Sequence, residues 1–169
     1  MRFPRPSSPS ILAALAATLL LAACGAQPPA RSAGDSPAPQ EAIVRAGDVS
    51  MRASVVQTST LGADVARQYG ISRDAGTLML LVAVRQGADG AETALPAQVT
   101  ATATDLRGQR QTVAMRELRV GGSGPGPALL DYVGTVQTTL PDTLRFDVTI
   151  VREGGATSSM QFTREFFPR

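Results

Sequence analysis

Few side chains in this 169-residue sequence could carry out chemistry. It holds one thiol, Cys24, with 14 carboxylates and 16 cationic residues that are all arginine; histidine, lysine and tryptophan are absent. Histidine is both the side chain best suited to proton transfer near neutral pH and the commonest metal ligand. A nucleophilic hydrolase needs a base beside its Ser or Cys, and without Lys the remaining acid–base option is a pair of carboxylates. Two carboxyls suffice for glycoside hydrolysis. Here most Asp and Glu residues fall in predicted turns or on polar faces, and no spacing forces two of them into one cleft. Met51, Met79, Met115 and Met160 follow the cysteine, and thioethers can hold Cu(I). They lie on four separate segments with no Met-x-Met cluster, which reads as adaptable core filling. The sequence therefore predicts no catalytic residues, no metal site and no cofactor.

The thiol is informative through what precedes it. Residues 1–23 begin with Arg2 and Arg5, continue as an apolar run from Ile11 to Ala22 and end in small residues, the three parts of a secretory signal. The run is about a dozen residues, short of the ~20 needed for a permanent transmembrane helix. The tetrapeptide Leu21-Ala22-Ala23-Cys24 resembles the bacterial lipobox, in which the thiol is given a diacylglyceryl group before a dedicated peptidase cuts ahead of the cysteine. A lone Cys has no internal disulfide partner, and acylation removes an exposed thiol from an oxidising compartment. Cys24 is thus the expected lipid attachment point, and the expected location is the cell envelope, facing the periplasm. Gly25 in place of Asp favours the outer over the inner membrane in a Gram-negative host, again by resemblance.

Residues 24–42 are rich in Pro, Ala, Ser and Gly and read as a flexible tether. Removing residues 1–23 takes Arg2 and Arg5 away and leaves 14 arginines against 14 acids, so the sequence pI of about 9.3 overstates the basicity of the mature chain. No cationic stripe remains, which excludes nucleic acid as an expected partner.

From residue 43 to 169, period-two alternation recurs between turn residues. Val49 to Val55 gives one strand, the apolar run Leu78 to Val84 a central one, and Val99 to Thr104 a third, before the turn at Leu106-Arg107-Gly108-Gln109. Gln111 to Leu118 and Leu129 to Val136 follow. Leu144, Phe146, Val148 and Ile150 pair through Glu153-Gly154-Gly155-Ala156 with Met160 and Phe162 as a hairpin. About seven strands without βαβ alternation predict an all-β fold, an immunoglobulin-like antiparallel sandwich, with a small barrel as the alternative. Leu61, Val65, Ala66 and Tyr69 sit at helical spacing between a Ser59 or Thr60 cap and Gly70, predicting one short helix that plugs an end of the sandwich. The Gly/Pro stretch Gly121 to Pro127 lacks the Lys-Ser/Thr pair and the helix start of a phosphate cradle and reads as a loop.

The order of several short motifs resembles domain-of-unknown-function family 4426 from about Asp48 to the end. The residues are Leu61, Val65-Ala66 and Tyr69-Gly70-Ile71; Asp105-Leu106-Arg107-Gly108-Gln109; Arg116-Glu117-Leu118; Tyr132-Val133-Gly134; and Phe146-Asp147-Val148, Gly154-Gly155 and Phe162. The chain departs from the pattern in its insertion at Gly121–Pro127 and in Asp105, where Asn is usual. The resemblance implies an envelope protein with a β-sandwich, and supplies neither reaction nor ligand. Arg116, Glu117 and Tyr132 stand out within it as a candidate contact surface for a partner protein, although a cross-strand ion pair beside a half-buried Tyr accounts for the same residues. The functional expectation is a lipid-anchored, non-catalytic interaction or structural module, bound to the membrane through Cys24 and contacting another envelope protein. The alternatives are a small-ligand or metal-binding periplasmic protein and a carboxylate-dependent glycan hydrolase.

Overall fold

The computed structural model describes residues 40–120 and 129–169. The signal segment, Cys24, the tether up to residue 39 and the Gly121–Pro127 loop lie outside the described residues. In chain order the strands are β1 (Ala42–Ala46), β2 (Val49–Gln57), β3 (Thr77–Gln86), β4 (Thr93–Ala94), β5 (Ala97–Thr104), β6 (Arg110–Val113), β7 (Arg116–Val120), β8 (Leu129–Gln137), β9 (Asp142–Arg152) and β10 (Thr157–Phe166). One helix, α1 (Ala63–Tyr69), separates β2 from β3.

The strands form two antiparallel sheets, β1-β2-β3-β8-β7 with β4 paired to the end of β3, and β10-β9-β5-β6. Every expected strand except Gln111–Leu118 is present as a single strand. Alternating residues of the first sheet (Met51, Leu78, Leu80, Val82, Val84) and of the second (Leu144, Phe146, Val148, Ile150) are almost wholly buried between the sheets. Phe146 and Phe162 stack there with ring centroids 5.3 Å apart. This is the all-β sandwich that period-two alternation dictates, because every inward side chain on one sheet faces an inward side chain on the other.

Five details differ from the sequence reading. β1 adds an edge strand that begins within the expected tether, and the two-residue β4 is also additional. The expected strand Gln111–Leu118 is broken at Ala114-Met115, so that β6 lies in one sheet and β7 in the other. The close approach of this crossover is made possible by Gly134 on β8, where a Cβ would stand 2.6 Å from Val113 Cγ1 and 3.0 Å from the Ala114 carbonyl oxygen. The helix is capped by Gly62 and not by Ser59 or Thr60, with no side-chain hydrogen bond to its first turn. Nor does it plug an end between the sheets. Leu61, Tyr69 and Ile71 pack on the outer face of the first sheet, over Met79, Leu118 and Val133.

Candidate functional site

The outer face of the first sheet carries most of the enclosed charge. Ser50 and Arg52 project from β2 on this face, Arg85 from β3 and Asp131 from β8, because these positions alternate with the core residues Met51, Val84 and Tyr132. Arg52 Nη2 lies 3.0 Å from Glu92 Oε1 and 3.8 Å from Asp89 Oδ1. Ser50 Oγ donates to Glu92 Oε1 at 2.9 Å, and Arg45 reaches Asp89 at 3.2 Å. Glu92 and Asp89 are thus the one convergent acid pair in this network, and a guanidinium fills the space between them. Further along the face Arg85 pairs with Asp131, with only 12% and 14% of the two side chains exposed, and donates to the Leu130 carbonyl at 2.9 Å. Each acid here is paired with an arginine. Among the described residues no three His, Cys, Asp or Glu side chains come together as a metal-ion set.

Arg116, Glu117 and Tyr132 are not brought together as one surface. Arg116 and Glu117 are consecutive on β7 and point to opposite faces of the sheet. Arg116 donates to the carbonyl oxygen of Tyr69, the last residue of α1. Gly70 follows in the left-handed conformation at φ 62°, its N–H bonding to Arg67 O while the Ile71 N–H bonds to Ala66 O. That pairing is a Schellman C-cap, which requires the freedom glycine has at positive φ. Glu117 pairs with Arg119 on its own strand at 3.0 Å, not across strands. Tyr132, opposite Glu117 in register, is 3% exposed and belongs to the core. Its hydroxyl oxygen accepts the Ala97 N–H at 2.6 Å, and burial, the largest influence on it, pushes the phenol pKa up.

At one end of the sandwich the β5–β6 turn and the β8–β9 loop enclose an open cleft of about 370 Å³, lined by Leu106, Arg107, Thr139, Leu140, Pro141 and Asp142. Asp105 organises the turn. Its Oδ1 accepts the Arg107 and Gln109 amides at 2.9 and 2.8 Å, and its Oδ2 lies 3.2 Å from Arg107 Nε. Shielding from water works to raise the Asp105 pKa, but the Gln109 amide and the side chain and amide of Arg107 outweigh it, and the carboxyl lies below the usual range. Gly108, at φ 81°, closes the turn. The cleft offers apolar walls with one cation and one acid, suited to holding a ligand or resting on a surface. Sequence reasoning did not single out this place. Its signal was Leu106, a large apolar residue inside a turn, where alternation gives no reason for one.

The residues that carry the family resemblance therefore form caps, turns, the crossover and the core. A family model described as a domain of unknown function (DUF4426) matches residues 43–169. The crystal structure of a DUF4426 family protein from Pseudomonas aeruginosa PAO1 is similar, with 25% sequence identity and a TM-score of 0.59 over 76% of this chain and 96% of that one. No curated protein matches the sequence. No helix among the described residues is long and apolar enough to cross a membrane.

Proposed function

Since the chain belongs to the DUF4426 family, whose description prescribes no activity, we propose from its own residues that it is a lipid-anchored, non-catalytic interaction or structural module of the cell envelope. The observation that carries this reading is the employment of the chemistry-bearing side chains. Asp131, Glu92 and Asp105 hold arginines, a serine hydroxyl and turn amides in place, and Tyr132 and Arg116 tie separate elements together. Each of these groups has a structural partner, so the site-like motifs describe a scaffold. The lipobox-like sequence at Leu21–Cys24 supports attachment to a membrane, and the partner would then be met at the envelope surface.

Two measurements test it. Mass spectrometry of the protein purified from membranes should show Met1 to Ala23 removed and a diacylglyceryl group on Cys24; an intact Met1 or a free sulfhydryl overturns the anchor. Crosslinking in intact envelopes followed by identification of adducts should return the same partner in replicate preparations, and a reproducible absence of adducts overturns the interaction role. The cleft beside Leu106 favours small-ligand binding as a second reading, since its volume falls within the ~300–1,000 Å³ range of ligand pockets. That reading predicts a ligand-induced rise in melting temperature that Leu106→Arg abolishes.

A further inference from the structure

Five large apolar side chains stand exposed among the described residues, and the two most exposed are Leu106, at 80%, and Phe167, at 61%. They share one end of the sandwich. Leu106 faces Leu140 and Pro141 across the cleft, and Phe167 follows Phe166, which pairs in register with Asp142 at the start of β9. The Gln57 side-chain amide fixes the Phe167 backbone to the other sheet, donating to its carbonyl at 2.7 Å. Phe167 is thus held at this end and is not a loose terminus.

The chain enters the domain at the same end. The Gln40 carbonyl accepts from Arg164 Nη2 at 3.0 Å, two residues before β10 finishes, and β1 then runs toward the opposite end. Position 40 is 16 residues beyond Cys24. A chain of 16 residues reaches at most about 55 Å when fully extended. The end at which the chain enters is therefore the one nearest along the chain to a lipid on Cys24. Tethering also raises the local concentration of the surface to roughly the millimolar range, so a contact too weak to bind a free domain becomes populated.

We infer that the end carrying Leu106 and Phe167 rests on the lipid surface that holds the anchor, with both side chains entering the headgroup–acyl boundary. Arg107 and Arg169 flank them and can extend to the phosphates while their stems stay against the apolar layer. Asp105 and Asp142 offset these charges, so the contact is chiefly apolar and little affected by salt. The inference rests on the lipid-anchor reading and goes beyond it by assigning an orientation: the end with Glu153–Gly155 faces away from the membrane. The 11-residue β9 joins the two ends, separating them by about 35 Å at ~3.3 Å per residue.

The test uses the processed full chain. Acylation of Cys24 leaves a thiol introduced by Leu106→Cys, Phe167→Cys or Glu153→Cys as the only one that a polarity-sensitive fluorophore can label. Each labelled protein is inserted into vesicles of phosphatidylethanolamine and phosphatidylglycerol containing acyl-chain spin labels as quenchers. Quenching at positions 106 and 167 is expected to exceed that at 153 by roughly twofold or more, given a boundary only ~5–10 Å deep. A label on Arg169→Cys should drop to the level seen at 153 when L106E and F167E are added. Equal quenching at all positions in protein that floats with the vesicles overturns the orientation and leaves the anchor standing. Protein that neither floats nor carries lipid by mass overturns the anchor, and the orientation with it.

Discussion

The Tyr132 hydroxyl oxygen, on a strand of one sheet, accepts the backbone N–H of Ala97, the first residue of a strand in the other, at 2.6 Å. A buried side chain thus satisfies an amide that β5 cannot pair at its own start, and it fixes where that strand begins relative to the opposite sheet. Leaving a buried N–H unpaired costs more than an average hydrogen bond contributes.

Tyr132→Phe keeps the ring and removes the acceptor. It should lower unfolding free energy by about 1–3 kcal/mol, read from urea titrations at neutral pH. Burial raises the phenol pKa in the fold, so the folded state favours the neutral form. Its contribution is complete below the unfolded value of about 10 and is lost as pH rises through the higher folded value. The fall in stability above pH 10 should therefore be shallower in Tyr132→Phe than in the parent protein, and equal slopes would show that Tyr132 does not titrate differently in the two states.

Removing one member of the Arg85–Asp131 pair leaves the other charge enclosed. Arg85→Ala should cost about 3 kcal/mol, including the lost bond to the Leu130 carbonyl. The double replacement Arg85→Met with Asp131→Leu should recover most of that loss, since apolar residues of similar volume do nearly as well as a buried ion pair. A double variant as unstable as Arg85→Ala would refute this account.

Gly134→Ala places a methyl group 2.6 Å from Val113 Cγ1 and 2.8 Å from Met115 Sδ. Overpacking of this kind costs about 1–3 kcal/mol. Adding Val113→Ala should relieve part of it but not all, because the Ala114 carbonyl lies 3.0 Å away on the backbone. Thermal melts of the single and double variants decide the point.

Asp105 titrates below the usual carboxylate range because its turn favours the charged form. The stability this supplies is present above the unfolded pKa of about 3.9 and disappears as pH falls through the lower folded value. Asp105→Asn retains an oxygen for the Arg107 and Gln109 amides and cannot be protonated in this range. Its stability should fall less steeply than that of the parent protein below about pH 4, as followed by fluorescence-free circular dichroism.

The sandwich was legible because its core strands alternate cleanly, as Leu144, Phe146, Val148 and Ile150 show. β1 was hidden by its setting: Ala42 to Ala46 is short, sits at an edge and directly follows a Pro-rich stretch. The division of Gln111–Leu118 left no mark in that segment, with no Gly or Pro at the break. Its enabling residue, Gly134, lies some twenty positions later and acts only through space. The roles of Arg116 and Tyr132 were illegible for the same reason, since their partners are the Tyr69 carbonyl and the Ala97 amide, backbone atoms that every residue possesses. Leu106 and Phe167 become a pair only once the β5–β6 turn and the C-terminus are folded to one end.

The chain passes from one sheet to the other three times, between β4 and β5, between β6 and β7 and between β8 and β9, and none of these passages lies along the margin formed by β1 and β10. Like a bound volume, the domain has a stitched spine and a free fore-edge. Opening at that fore-edge, which only non-covalent contacts such as Arg164 to the Gln40 carbonyl bridge, would let solvent deuterons reach the amides that pair β1 with β2 and β10 with β9 before those of β5 and β8. Tension arriving through residue 40 would be applied to the same margin.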